Sequence, residues 1–393
     1  MSEFRDTSKQ FHASLSKDER MDQGIFFTPK KVRDLLFGKL AELKVCPKTI
    51  LEPSFGTGEF LLDAQRFYPQ SKLFGVEKNE ALFQSFTLDN ATLTCGDFLT
   101  WEGKADLILG NPPYFVWKTD TLTAKEKKAF AEKHASSMTG RPNIYIMFLY
   151  KCLEHLEPDG YLAFILPTSL YNCSYYQPMR HCLAKHTICH VETLNKPGFY
   201  ETGQETFLLI VQKRPSDTGD YLFQTRGNVY LSPYYKELYD LTHGTQTLAD
   251  LGLGVKTGNV VWNQVKTHLS DEGTLLVYSS NINHSVLTLN NLGGIKKQYV
   301  SGLHKPTLTG PVILVERGYG NNYRFNSVLV HLTDFYAENH INVIYPKTPD
   351  AVHHLERVMK SFKDERSRQF IQWFIGNGSM SATELETLLP IFE

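Results

Sequence analysis

The run Asn111-Pro112-Pro113-Tyr114 follows directly on the apolar stretch Ala105-Asp106-Leu107-Ile108-Leu109-Gly110. A buried strand that ends this way places an amide, a backbone carbonyl and a flat ring in one crevice at the carboxyl edge of a sheet. The Asn111 side chain and the Pro112 carbonyl can both accept hydrogen bonds from an exocyclic NH2, and the Tyr114 ring can cover the heterocycle that carries it. The four residues are a candidate nest for a planar amino group. An Asn-Pro pair is also an ordinary way to close a strand, so the neighbouring motifs have to decide.

Upstream, Thr49-Ile50-Leu51-Glu52-Pro53-Ser54-Phe55-Gly56-Thr57-Gly58-Glu59 reads as a strand, a glycine turn and the start of an amphipathic helix, the first βα turn of a nucleotide-binding domain. Glycines permit the tight turn and the close approach of a ligand, and the helix N-terminus offers unpaired N–H groups. A dinucleotide fingerprint would want a small residue at position 61, where this chain has Leu61. Glu52 precedes the glycines, which suits a cationic or amine-bearing ligand better than a pyrophosphate. Lys72 to Glu77 reads as the second strand, ending in a carboxylate placed for two ribose hydroxyls. Cys95-Gly96-Asp97-Phe98 supplies a third acidic strand end followed by an aromatic, fit for an adenine amino group and ring. Each carboxylate alone could be an ordinary solvated one. Three in order at successive strand ends point to one bound nucleoside.

These residues need a scaffold. From Phe26 to about Gln212 apolar strands alternate with amphipathic helices, the pattern of a mostly parallel, doubly wound sheet with a hairpin-like final pair. Residues 1–20 are polar and read as a flexible arm or short helix. The insertion Lys118 to Arg141 breaks the rhythm beside the Asn-Pro-Pro-Tyr turn and reads as a substrate-facing loop. The α/β pattern fades at Lys213 to Asp220. Leu248 to Tyr345 carries short β-prone runs, and beyond Pro346 the apolar positions Val352, Leu355, Met359 and Phe362 predict one helix face packed on a core. Two domains follow, 1–242 and 243–393.

The order of motifs resembles the gamma-type N6-adenine DNA methyltransferases, the TaqI methyltransferase-like enzymes of restriction-modification systems. The resemblance begins at Gly24-Ile25-Phe26-Phe27-Thr28-Pro29. It continues through the Glu52-Pro53 turn, Glu77, Asp97-Phe98, Asn111 to Tyr114, Asn143-Ile144-Tyr145 and Glu157-Pro158-Asp159-Gly160, over roughly the first 215 residues. It implies a Rossmann-like S-adenosylmethionine-dependent methyltransferase fold and a mostly-β C-terminal target recognition domain ending in helices. By the same resemblance Thr28, Glu52, Pro53, Ser54, Gly56, Glu77, Asp97, Phe98, Asn111 and Pro113 would hold S-adenosylmethionine, and Asn111, Pro112, Pro113 and Tyr114 would act on an adenine flipped out of duplex DNA. A second stacking aromatic is expected from Gly198-Phe199-Tyr200, with Phe199 the candidate and Tyr200 the alternative. No metal is implied. The partners expected are double-stranded DNA and a cognate restriction endonuclease, with the enzyme itself a monomer. The same turn also suits enzymes that methylate a protein glutamine or an RNA guanine, and a silent methyltransferase-like binding subunit is a further reading that the intact motifs oppose. A nicotinamide dehydrogenase is disfavoured by Leu61.

Composition bounds these readings. The 393 residues are 41% hydrophobic and 12% aromatic, enough for two or three cored domains. There is no long apolar span or signal-like N-terminus, and the six cysteines lack paired metal spacing and read as free thiols; an intracellular enzyme is expected. A formal net charge of −1 opposes nucleic-acid binding, although residues 251–347 hold eight Lys/Arg against five Asp/Glu. With Trp262, Tyr299, Tyr319 and Tyr323 interleaved, that stretch is a candidate DNA face.

Overall fold

The central strands of the first part of the chain are buried at almost every residue, so each feeds two opposed cores. In the computed structural model, which describes residues 4–14, 27–116, 143–194, 205–216, 218–289, 292–318, 323–374 and 379–393, the chain divides into two compact units, Met1–Tyr235 and Lys236–Glu393. The sequence boundary after residue 242 falls at the end of a helix, Tyr235–Thr242, that starts at this division.

The first unit runs α1 (Asp6–Ser14), α2 (Lys30–Glu42), β1 (Thr49–Glu52), α3 (Glu59–Phe67), β2 (Lys72–Glu77), α4 (Glu80–Gln84), β3 (Ala91–Cys95), β4 (Ala105–Gly110), α5 (Ile144–His155), β5 (Leu156–Pro167), α6 (Gln177–Leu183), β6 (Thr187–Leu194) and β7 (Thr206–Gln212). The strands form one sheet in the order β3-β2-β1-β4-β5-β7-β6. The first five are parallel and β7 runs antiparallel to both neighbours, the doubly wound sheet with a final hairpin-like pair that the sequence pattern predicts. Leu51 and Ile108 pack on one face with the almost wholly buried α5, while Ile50, Leu107 and Leu109 pack on the other with α2 and α3. Successive side chains of a strand point to opposite faces. Because the chain leaves β1 toward β2 and returns beside β1 as β4, the β1/β4 seam is a topological switch point, where a crevice opens at the carboxyl ends.

The second unit is β-rich. One sheet orders the strands Leu253–Thr257, Ile341–Pro346, Val312–Glu316 and Ser327–Val330, and another the strands Leu269–Ser270, Tyr299–Val300, Thr274–Val277 and Phe335–Ala337. The helices His354–Ser361, Glu365–Phe374 and Ala382–Thr387 follow, the last begun by a capping box of Ser381 and Glu384. The predicted apolar face beyond Pro346 is corrected in phase. Leu355, Val358 and Phe362 are the buried positions, whereas Val352 is 37% exposed, because a 3-10 turn over Pro349–His353 precedes the helix and shifts its angular register. Among the described residues no helix is long and apolar enough to cross a membrane, and none of the six cysteines is paired. The insertion Lys118 to Arg141 lies outside the described residues.

Gly75 lies midway along β2 under the glycine turn. A Cβ there would fall 2.8 Å from carbons of Leu61 and Phe55 and 2.9 Å from one of Leu93. Gly75→Ala is therefore expected to lower the stability of the unliganded chain by about 1–3 kcal/mol, the usual scale of overpacking. Urea unfolding with an unchanged midpoint would show that the Phe55 turn yields freely.

Candidate active site

β1 delivers Glu52 to the crevice. It is 2% exposed, and among the described residues Oε2 has no hydrogen-bond partner, nor has the Ser54 hydroxyl two residues on. Burial pushes the Glu52 carboxyl well above the ordinary carboxylate range, and the nearby Glu77 pushes it the same way. Pro53 is buried between them in sequence, and Gly56 and Gly58 close the turn at φ +55° and +77°. Gly58 needs to be glycine on two counts: the left-handed backbone, and the Phe86 ring, whose carbons would stand 2.3 Å from a Cβ.

β2 delivers Glu77, 8% exposed. One carboxylate oxygen accepts the Gly56 N–H at 2.9 Å and the other the Asn79 N–H at 2.7 Å, so the carboxylate fixes the glycine turn and keeps lone pairs to spare. Burial raises its pKa and these backbone donors oppose the rise. After β3, Asp97 accepts the Leu99 N–H at 3.0 Å and the Lys78 ammonium at 2.8 Å. Phe98 beside it is 2% exposed and packs on Phe148 with ring centres 5.0 Å apart. As the chain stands, that ring is a wall of the core rather than an open stacking surface.

β4 delivers the Asn-Pro-Pro-Tyr turn. Gly110 touches β1: a Cβ on it would lie 3.5 Å from Glu52 Cγ, so the carboxylate and the amide turn share one crevice. Pro112 is buried, and Asn111, Pro113 and Tyr114 are half-buried. The Tyr114 hydroxyl shares its one proton between Asn111 Oδ1 and, at 2.6 Å, the Ile165 carbonyl, and its ring meets Tyr145 edge-on with centres 6.0 Å apart. Burial raises the phenol's pKa, so it stays a donor. Phe199 and Tyr200 lie outside the described residues.

Thr28 is buried, and its carbonyl accepts a hydrogen bond from Arg33. The preceding Phe27 ring rests on the glycine turn, 3.7 Å from where a Gly56 Cβ would be. Arg33 also binds Glu59 and, at 2.7 Å, Asp63, tying the Thr28 segment to the first turn of α3. The sequence motifs contain Phe27 and Glu59 without giving either a role of its own, and Arg33 lies outside them. The one available signal was an acid at the first position of a helix.

The sheet order, the carboxylates at successive strand ends and the glycine turn at the switch point define a Rossmann-like S-adenosylmethionine-dependent methyltransferase. The family model described as Eco57I restriction-modification methylase matches residues 57–197. The type II methyltransferase M.CvrRI of Paramecium bursaria Chlorella virus XZ-6E is 32% identical over 400 residues, covering 99% of each chain. The modification methylase CviBIII of Paramecium bursaria Chlorella virus NC1A is 30% identical over 406 residues, again covering 99% of each. Among solved structures, the type IIG restriction endonuclease BpuSI aligns with 98% of this chain and 61% of its own at 11% identity, with a TM-score of 0.45. The chain belongs to the type II restriction-modification DNA methyltransferases, in the Eco57I methylase family.

Whether the residues fit the cofactor can be judged on the orphaned groups. A buried carboxylate oxygen and a hydroxyl without partners suit the ammonium-bearing end of S-adenosylmethionine, which would give each a partner. A raised folded-state pKa makes ionised Glu52 a liability to the free chain. Its destabilisation is absent below the unfolded carboxylate pKa and accrues as pH rises toward the folded one. Glu52→Gln should accordingly melt higher than the parent at pH 7.5, match it near pH 4, and bind S-adenosylmethionine at least tenfold more weakly. Thermal melts at both pH values and calorimetric titration check the pair of effects, and a Gln variant no more stable at pH 7.5 would show that Glu52 carries no such penalty.

Proposed function

We propose that the chain transfers a methyl group to the N6 amino group of an adenine flipped out of duplex DNA, at a sequence chosen by its second unit. The observation that carries the reading is the placement of Asn111-Pro112-Pro113-Tyr114 at the end of β4, against Glu52 across Gly110. Bound S-adenosylmethionine supplies an electrophilic methyl group on a sulfonium. Thr28, Glu52, Ser54, Glu77, Asp97 and Pro113 would hold it along the strand ends, with Pro53 and Gly56 shaping the turn and Phe98 walling the site.

A stacked adenine cannot reach that methyl group, and extruding it costs a few kcal/mol. Asn111 Oδ1 and the Pro112 carbonyl would accept the two amino protons, drawing the nitrogen toward tetrahedral geometry and aiming its lone pair. Positive charge develops on that nitrogen during transfer, so these hydrogen bonds strengthen toward the transition state, and orientation does much of the rest. In the free chain the Tyr114 hydroxyl is on Asn111 Oδ1; an incoming amino group takes its place, and the ring turns its face to the base. Phe199 or Tyr200 would cover the opposite face. The type of system to which the relatives belong implies a cognate restriction endonuclease that the methylation blocks.

The second unit would read the DNA. Its cations are partly committed: Lys297 pairs with Asp271 at 2.7 Å and Lys347 with Glu386 at 2.7 Å. Lys296 sits over the rings of Trp262 and Tyr278, 5.0 and 4.8 Å from their centres, with Lys266 on the same Trp262. Such a cationic, aromatic cluster suits phosphate and sugar contacts.

Two predictions follow from this geometry. Asn111→Ala should abolish transfer while leaving most cofactor affinity. Tyr114→Ala should slow it strongly, and Tyr114→Phe mildly, since the ring survives and its hydroxyl no longer competes with the base for Oδ1. Nucleoside mass spectrometry of modified DNA should find N6-methyldeoxyadenosine, and 2-aminopurine at the target should brighten on binding; N4-methyldeoxycytidine alone would overturn the adenine assignment. Separately, a chain ending at residue 242 should keep S-adenosylmethionine binding and lose most DNA affinity, because phosphate contacts carry much of it. Replacing Lys296 and Lys297 together should weaken all duplexes alike and flatten the salt dependence. Undiminished site selectivity in the shortened chain would refute the division of labour.

A further inference from the structure

The N-terminal helix α1 is polar and nine residues long, too short to hold itself together in water. Its helicity comes from docking, and it docks on the glycine turn. The Ser8 hydroxyl, 1% exposed, donates to Glu59 Oε1 at 2.6 Å and lies 2.8 Å from the Thr57 hydroxyl. The Arg5 N–H reaches the same Glu59 oxygen at 3.1 Å, and its guanidinium donates to the Thr57 carbonyl at 2.8 Å while covering the Phe86 ring at 5.7 Å. Phe86 is the ring that presses on Gly58. Thr57, Gly58 and Glu59 are thus all braced from this side. The other oxygen of Glu59 holds Arg33, which grips the Thr28 carbonyl.

We infer that the segment Phe4–Ser14 is a clamp on the cofactor turn, and that Ser8, Arg5 and Glu59 are positioning residues for S-adenosylmethionine. The inference rests on placing the cofactor at this turn. Glu59 is the hub. Through one carboxylate it couples α1, the turn that presents backbone N–H groups, and the Thr28 segment on the far side. A turn that meets a ligand through its backbone binds tightly only if it is fixed beforehand, since ordering it on binding subtracts from affinity. None of the three residues needs to touch the ligand; they hold what does.

The test is steady-state methylation by the full chain with S-adenosylmethionine varied at saturating DNA. Arg5→Ala and Ser8→Ala together should raise KM for S-adenosylmethionine about tenfold, with kcat and KM for DNA within twofold of the parent, and Arg5→Lys alone, which keeps a donor for the Thr57 carbonyl, should stay near the parent. Calorimetry on the same variants should show the matching loss in cofactor affinity. Unchanged KM in a folded double variant overturns the clamp, as does a fall in kcat and DNA affinity in step with it, which would mark a general loss of structure. Glu77→Ala is the control on the underlying placement. If it weakens cofactor binding while the double variant does not, the clamp alone is wrong; if it has no effect, the cofactor placement fails and the clamp with it.

Discussion

Two carboxylates taken out of water at adjacent strand ends are the constraint around which the first unit is built. Glu52 and Glu77 are 2% and 8% exposed; burial raises the pKa of each, and the Glu77 charge pushes Glu52 further the same way. The chain treats them differently. Glu77 is compensated from within by two backbone donors, and in accepting them it shapes the turn beside it. Glu52 keeps one oxygen without a partner among the described residues. Burying such a group is unfavourable by an amount on the order of 1–3 kcal/mol, a cost that a purely structural carboxylate would not retain. One acid fixes the turn beside it, and the other is left for a ligand of opposite charge.

The amide turn follows a related logic. Asn111 Oδ1 in the free chain accepts the Tyr114 hydroxyl, which also donates to the Ile165 carbonyl on the neighbouring strand. The amide of the nest is met by its own aromatic. A base must exchange one hydrogen bond for another there, so the net cost of admission is small, while Pro112, with no N–H, offers its carbonyl without adding a competing donor.

Much of this arrangement was legible in the sequence because its signals are local. Strand ends announce themselves by apolar runs stopping at Glu52, Glu77 and Asn111, and the glycine turn by Gly56 and Gly58; the parallel order then brings the stops to one edge. The α/β character and the β-rich second part were legible for the same reason. What escaped depends on distance along the chain. Glu59 meets Arg33 and Ser8 across 26 and 51 residues, and Tyr114 meets Ile165 across 51, pairings that no local pattern encodes. Phe98 looked like a stacking surface because a strand-end aromatic was read without its neighbour Phe148. Val352 was assigned to a helix face because periodicity alone cannot see a 3-10 turn.

The polar N-terminus is the sharpest case. Read alone, residues 1–20 have too little apolar surface to fold, and that remains true of α1 in isolation. Its order is supplied by partners, chiefly Thr57 and Glu59, whose own conformation serves the glycine turn. A buried ion pair such as Arg33 with Glu59 is weak grounds for stability, since desolvation can consume the Coulomb gain. Its value here is geometric. Replacing the pair with apolar residues would keep the core filled, yet it would remove the carboxylate that α1 bonds directly and that the Thr28 segment reaches through Arg33, and with it a means of fixing three separate stretches of chain against one another.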